Sequence, residues 1–178
     1  MSSFGFAVPG PPIEPMASAI IAESPGGRRH RYWLARHWAA APPLIWILIN
    51  PSTADAAKDD PTARVCMGRA RRANCGGIII VNAYSLMETD PEKMLLDPAR
   101  VGPEADVHLR RALLVAKLQG APVICGWGGS IEPARSQTVR QMIRDMGITP
   151  LCLGVTKSGE PRHPLRIGYD YAPHPFLD

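Results

Sequence analysis

Two asparagines, a histidine, adjacent aspartates and a small-residue run around a tryptophan each follow an apolar segment or the turn after one. They are Asn50 in Asn50-Pro51-Ser52-Thr53-Ala54-Asp55, Asp59 and Asp60 before Pro61, Asn82 in Asn82-Ala83-Tyr84-Ser85, Trp127 in Gly126-Trp127-Gly128-Gly129-Ser130, and His163 in His163-Pro164-Leu165-Arg166. An asparagine amide offers a donor and an acceptor to the edge of a planar ligand. Histidine can donate to an oxygen that gains charge, and a carboxylate can take a proton from water. Tyr84 or Trp127 offers a flat wall for stacking. Each residue also has an ordinary structural use. Asn-Pro starts turns, Asp60 before Pro61 reads as a helix cap, Gly-Trp-Gly suits a tight turn, and His163 fits a surface loop. Their gathering at the ends of successive apolar segments is what points to chemistry.

Commoner machinery is missing. No G-x-x-x-x-G-K-[ST] loop occurs, no G-x-G-x-x-G follows the first apolar run, and no G-x-S-x-G elbow surrounds Ser52. Cys66, Cys75, Cys125 and Cys152 include no C-x-x-C pair, so neither a metal nor a cofactor is expected.

The elements that must carry these groups alternate. Pro43–Ile49 and Ile78–Val81 are continuous apolar runs of strand length, as expected of strands covered on both faces. Val123–Cys125 and Ile148–Leu153 continue the series, and Arg31–His37 alternates enough for another strand. Asp60-Pro61 opens a helix ending near Ala73; Pro103–Leu118 and Pro133–Met146 read as two more, closed by Gly120 and Gly147. Residues between Asn82 and Pro103 read as a Pro-containing loop. Strands separated by helices predict an α/β fold, a three-layer α/β/α arrangement with a central, mostly parallel four-stranded sheet. Active groups then gather at the carboxyl ends of the strands. The Pro- and Gly-rich residues 1–18 read as a loosely held arm, Ala19–Glu23 as an edge strand, and 19–178 as one domain.

The chain has 178 residues, and its 46% hydrophobic and 20% charged content excludes disorder and coiled coil. Its longest apolar run is too short to span a membrane, which leaves a cytoplasmic protein as the expectation. Sixteen arginines stand against four lysines, with Arg28, Arg29 and Arg31, Arg69, Arg71 and Arg72, and Arg110 with Arg111 in groups. Such a bias suits phosphate recognition, and equally a solvated surface.

The string LILINPSTADAAKDDPTARVC, followed by VNAYSLMETDP, WG and HPL, resembles DUF1643, a bacterial and phage family with no established activity, over Tyr32 to Arg166. The order of motifs is also similar to that of the uracil-DNA glycosylase superfamily, whose core is a four-stranded parallel sheet with flanking helices. That resemblance implies that Asn50 positions the attacking water, that Asn82 reads the flipped base, and that His163 stabilises the leaving base. It implies a DNA glycosylase-like enzyme that hydrolyses the N-glycosidic bond of a flipped pyrimidine, modified or not, in single- or double-stranded DNA, without a cofactor. Asp59, or else Asp55, is the candidate base, Pro51, Ser52, Tyr84 and Trp127 the candidate pocket wall, and Arg166 a phosphate ligand. The alternatives are another nucleotide-directed hydrolase or transferase using Asp59 and Asp60, and a non-catalytic binder of nucleic-acid bases.

Overall fold

The computed structural model describes residues 16–176. Strand β1 (Met16–Ser24) and β2 (Arg28–His37) form a hairpin turned by Pro25-Gly26-Gly27, where both glycines have positive φ. β3 (Pro43–Leu48), β4 (Gly77–Asn82), β5 (Val123–Gly126), β6 (Leu151–Cys152) and β7 (His174–Pro175) complete one seven-stranded sheet. The strand order is β1-β2-β4-β3-β5-β6-β7. The sheet is mixed, which corrects the expected mostly parallel one. β4-β3-β5-β6 pair parallel, whereas β1-β2, β2-β4 and β6-β7 pair antiparallel. The hairpin is longer than any of the parallel strands. Its register with β4 was not legible, because a strand that joins from outside the βαβ series carries no periodic mark of its partner.

Helices α1 (Pro61–Arg72), α2 (Pro91–Leu96), α3 (Ala105–Gln119) and α4 (Pro133–Asp145) flank the sheet. The side chains of β3 divide between its two faces. Ile45 and Ile47 join Leu109 and Leu113 of α3 and Val139, Met142 and Ile143 of α4 in one core. Leu44, Trp46 and Leu48 join Ala63, Cys66 and Ala70 of α1 in the other. Each such fully buried side chain contributes roughly 1.5–3 kcal/mol, which is why an uninterrupted apolar strand is required here.

Several boundaries differ from expectation. Met16–Ser18, assigned to the arm, belongs to β1, whereas residues 1–15 lie outside the described residues. The supposed loop before Pro103 contains α2, capped by Asp90 through Glu92 N and Lys93 N. The fourth parallel strand shrinks to Leu151–Cys152, because Pro150 has no N–H to donate to a ladder.

For the site, register matters most. Leu48 lies opposite Asn82 on one side and Gly126 on the other, so the three end together on the α1 face of the sheet. Asn82 and Gly126 are thus about 10 Å apart across β3. The final loop reaches this edge, since a Cβ on Gly126 would meet Pro164 Cδ at 3.1 Å.

Candidate functional site at the carboxyl edge of the sheet

Asn82 ends β4 and is 4% exposed. Its Oδ1 accepts from Arg31 Nη2 at 3.4 Å, and Arg31 Nη1 donates to Ala54 O at 2.9 Å. One guanidinium therefore joins the amide to the loop after β3, and the Ala54 methyl is fully buried in the α1-side core. Asn82 Nδ2 and Arg31 Nε are buried with no hydrogen-bond partner among the described residues. Arg31 forms no ion pair among the described residues; burial lowers its pKa to about 10, against the pull of the Asp60 carboxylate. Asn82 is thus buried and joined through Arg31 to Ala54 rather than facing open space.

Asn50 is oriented by its own neighbours. Its Nδ2 donates to Glu88 O at 2.7 Å and Pro51 O at 3.1 Å, so the amide cannot flip without losing both bonds. Its Oδ1 has no hydrogen-bond partner among the described residues. Pro51 is buried, and Ser52 lines a separate small cavity of about 290 Å³ with Arg29, Asp55 and Glu88.

The two aspartates separate in role. Asp60 caps α1, its Oδ1 accepting from Ala63 N at 2.8 Å, as Asp60-Pro61 implied. Its other oxygen has no hydrogen-bond partner among the described residues, and its charge acts on Arg31, Cys66 and His163. Asp59 pairs with Arg36, whose Nη2 lies 2.8 Å away. Arg36 also donates to Asp55 O at 2.6 Å, so Asp59 helps tie the loop to β2. A structural duty for Asp59 was not legible in the sequence, because its partner lies on a distant strand.

His163 lines an open cleft of about 390 Å³ with Ile49, Gly128, Arg162 and Arg166. Its Nδ1 accepts from Leu165 N at 3.4 Å, at the start of a 3-10 turn over Pro164–Arg166. The neutral ring therefore carries its proton on Nε2. Burial holds its pKa below the ordinary histidine value, and Asp60 pulls it back up by a smaller amount. Arg69 of α1 fixes the chain beyond this turn by donating to the carbonyls of Ile167, Gly168 and Tyr171.

The aromatic wall is not assembled in this conformation. Tyr84 is fully buried, its hydroxyl accepting from Glu132 N at 3.0 Å. The Trp127 indole is 1% exposed, donates to Glu160 Oε2 at 2.6 Å and meets Phe176 edge-on. Both are core residues, so neither offers a ring face for stacking. His163 and Arg166 share one cleft with the backbone turn around Trp127, whereas Asn82, Ser52 and Asp59 lie elsewhere. Arg31 and Arg162 were missed as site residues. The run Arg28-Arg29-His30-Arg31 marked charge without marking which member turns inward.

Many of the grouped arginines serve the fold. Arg28 pairs with Asp97 at 2.7 Å, Arg71 lies over Trp38, Arg72 over Tyr169 and Arg111 over Trp33. No group of three or more His, Cys, Asp or Glu suited to a metal ion occurs among the described residues. No helix among them is long and apolar enough to cross a membrane.

A family described as "Protein of unknown function (DUF1643)" matches residues 31–165, most of the chain. The chain belongs to the DUF1643 family. The DUF1643 match begins at the buried Arg31 and ends at Leu165, inside the turn that His163 caps, so it encloses this edge of the sheet. No curated protein and no solved structure matches the chain, and the resemblance to uracil-DNA glycosylases has no support from these comparisons.

Proposed function

We propose that the protein hydrolyses the N-glycosidic bond of a pyrimidine flipped out of nucleic acid, with DNA as the substrate. The observation that carries this reading is His163, a neutral imidazole whose protonated Nε2 is free of the bond made by Nδ1, in an open cleft at the carboxyl edge of parallel strands. In this reading β4-β3-β5-β6 and their helices form a uracil-DNA glycosylase-like core. A water held by Asn50 Oδ1 attacks C1′ of the sugar, and the C1′–N bond breaks with its electron pair leaving on the base. His163 Nε2 donates a hydrogen bond to the carbonyl oxygen of the departing base and stabilises its negative charge. The unbonded oxygen of Asp60 takes the proton from water, and the base anion takes up a proton from solvent on release. Asp60, rather than the paired Asp59, also opposes the positive charge that develops on the sugar. The unpartnered Nδ2 of Asn82 is buried, so in this reading it reaches a base carbonyl only after the Arg31 bridge between Asn82 and Ala54 opens. Water is the second substrate and no cofactor is needed. The test is release of free base from single- and double-stranded oligonucleotides carrying uracil or modified pyrimidines. His163→Ala is expected to slow release by about 100-fold or more, the usual worth of a positioned donor to a developing oxyanion. No release by the wild-type protein from any of these substrates would overturn the reading.

A further inference from the structure

Most arginine side chains among the described residues are held by a carboxylate, a carbonyl or an aromatic ring. Those of Arg29, Arg110, Arg162 and Arg166 have no hydrogen bond, ion pair or ring contact among the described residues. Two of these four stand on either side of His163 and line the same cleft. No aspartate or glutamate among the described residues lines it, so no carboxylate of the lining pairs with the two guanidiniums. Glu160, the nearest carboxylate in sequence, is held instead by Trp127, Ser136 and Arg140.

Another part of the lining is the backbone turn at Gly128–Ser130. Gly128 has φ +77 and gives its N–H to Pro161 O at 2.8 Å, which turns the chain sharply at the cleft. The next two N–H groups, of Gly129 and Ser130, have no acceptor among the described residues. Successive amides after a left-handed residue form a concave donor surface that suits an anion. Guanidinium forks match the oxygens of a phosphate in the same way.

We propose that this cleft is a phosphate-binding site, with the anion held by Arg162 and Arg166 together with the Gly129 and Ser130 amides. The phosphate is that of a nucleotide or of a nucleic-acid strand. The site stands on the groups of the cleft and holds whichever bond the protein breaks. It places the phosphate next to His163, so the ligand's reacting part lies within a nucleotide's length of the imidazole.

Isothermal titration calorimetry tests it with deoxyuridine, dUMP and a single-stranded oligodeoxynucleotide as probes, at low and high salt. dUMP or the oligonucleotide is expected to bind at least about tenfold more tightly than deoxyuridine, with the advantage falling as salt rises. Arg162→Met with Arg166→Met should remove that advantage, whereas Arg110→Met, an equally unpartnered arginine on α3, should not. All three side chains are exposed, so the variants keep the fold. A tighter oligonucleotide assigns the phosphate to a strand, and a tighter dUMP assigns it to a free nucleotide. Equal binding of deoxyuridine and dUMP with no binding of the oligonucleotide, no binding of any probe, or full affinity in the double variant overturns the proposal. Base release that persists without phosphate binding would leave the hydrolase standing and remove this site; phosphate binding without base release would do the reverse.

Discussion

Replacing Arg31 by methionine sets two opposed energies against each other. Burial lowers the Arg31 pKa well below the ordinary guanidinium value, to about 10. At roughly 1.36 kcal/mol per pKa unit, holding this charge inside costs about 3 kcal/mol, which methionine relieves while keeping most of the side-chain volume. Against this stand two charge-assisted bonds, to Ala54 O and Asn82 Oδ1, worth about 1.5–3 kcal/mol each. The net expected loss is therefore small, about 0–3 kcal/mol, and urea unfolding at pH 7 measures it. Arg31→Lys should be less stable than Arg31→Met, because an ammonium retains the buried charge and cannot bridge both acceptors. In both variants the loop around Ala54 loses its anchor, so amide exchange over residues 53–58 should accelerate. A loss above about 5 kcal/mol in Arg31→Met would mean that the charge is closely paired, and unchanged loop exchange would mean that the guanidinium anchors nothing; either refutes the reasoning.

Three further outcomes follow from single groups. Asp60→Ala should cost about 1 kcal/mol in urea unfolding through the lost cap on Ala63 N, and Asp60→Ser should recover most of it because serine also caps. Burial lowers the pKa of His30, whose ring bridges Ser24 and Ser85, so the folded state binds the proton more weakly than the unfolded chain does. Stability should therefore be flat above about pH 6.5 and fall as pH drops below it, and His30→Gln should flatten that fall in unfolding measured at pH 7.5 and 5.5. Gly76→Ala should fail to accumulate as folded protein, because its methyl would collide with the backbone carbonyls of Ala39 and Ala41; a soluble variant with wild-type circular dichroism and melting would contradict this.

Local chemistry made much of the fold readable. Pro43–Leu48 and Gly77–Asn82 are strands because uninterrupted apolar runs this short need cover on both faces, and the sheet supplies it. Asp60-Pro61 starts α1 because a side-chain cap and a residue with no N–H together suit a first turn. The same signal at Asp90-Pro91 starts α2 and was legible in principle, but its six residues show too little periodicity to stand out from a loop. Periodicity reports which face a residue occupies, and carries nothing about which distant strand pairs with it. That is why the antiparallel β2-β4 junction emerged only in three dimensions.

The site divides along the same line. Residue type and position after a strand were enough to mark Asn50, Asn82 and His163 as lying at one edge of the sheet, because parallel strands must end together. Tertiary structure alone decided what each one faces. It turned Arg31 inward onto Asn82 and Ala54, paired Asp59 with Arg36, and drew the rings of Tyr84 and Trp127 into the core. It also left Arg162 and Arg166 without partners beside His163. Sequence sets what a side chain can donate, accept or bury. Its partner is chosen by chain segments tens of residues away, and they meet it only when the sheet closes.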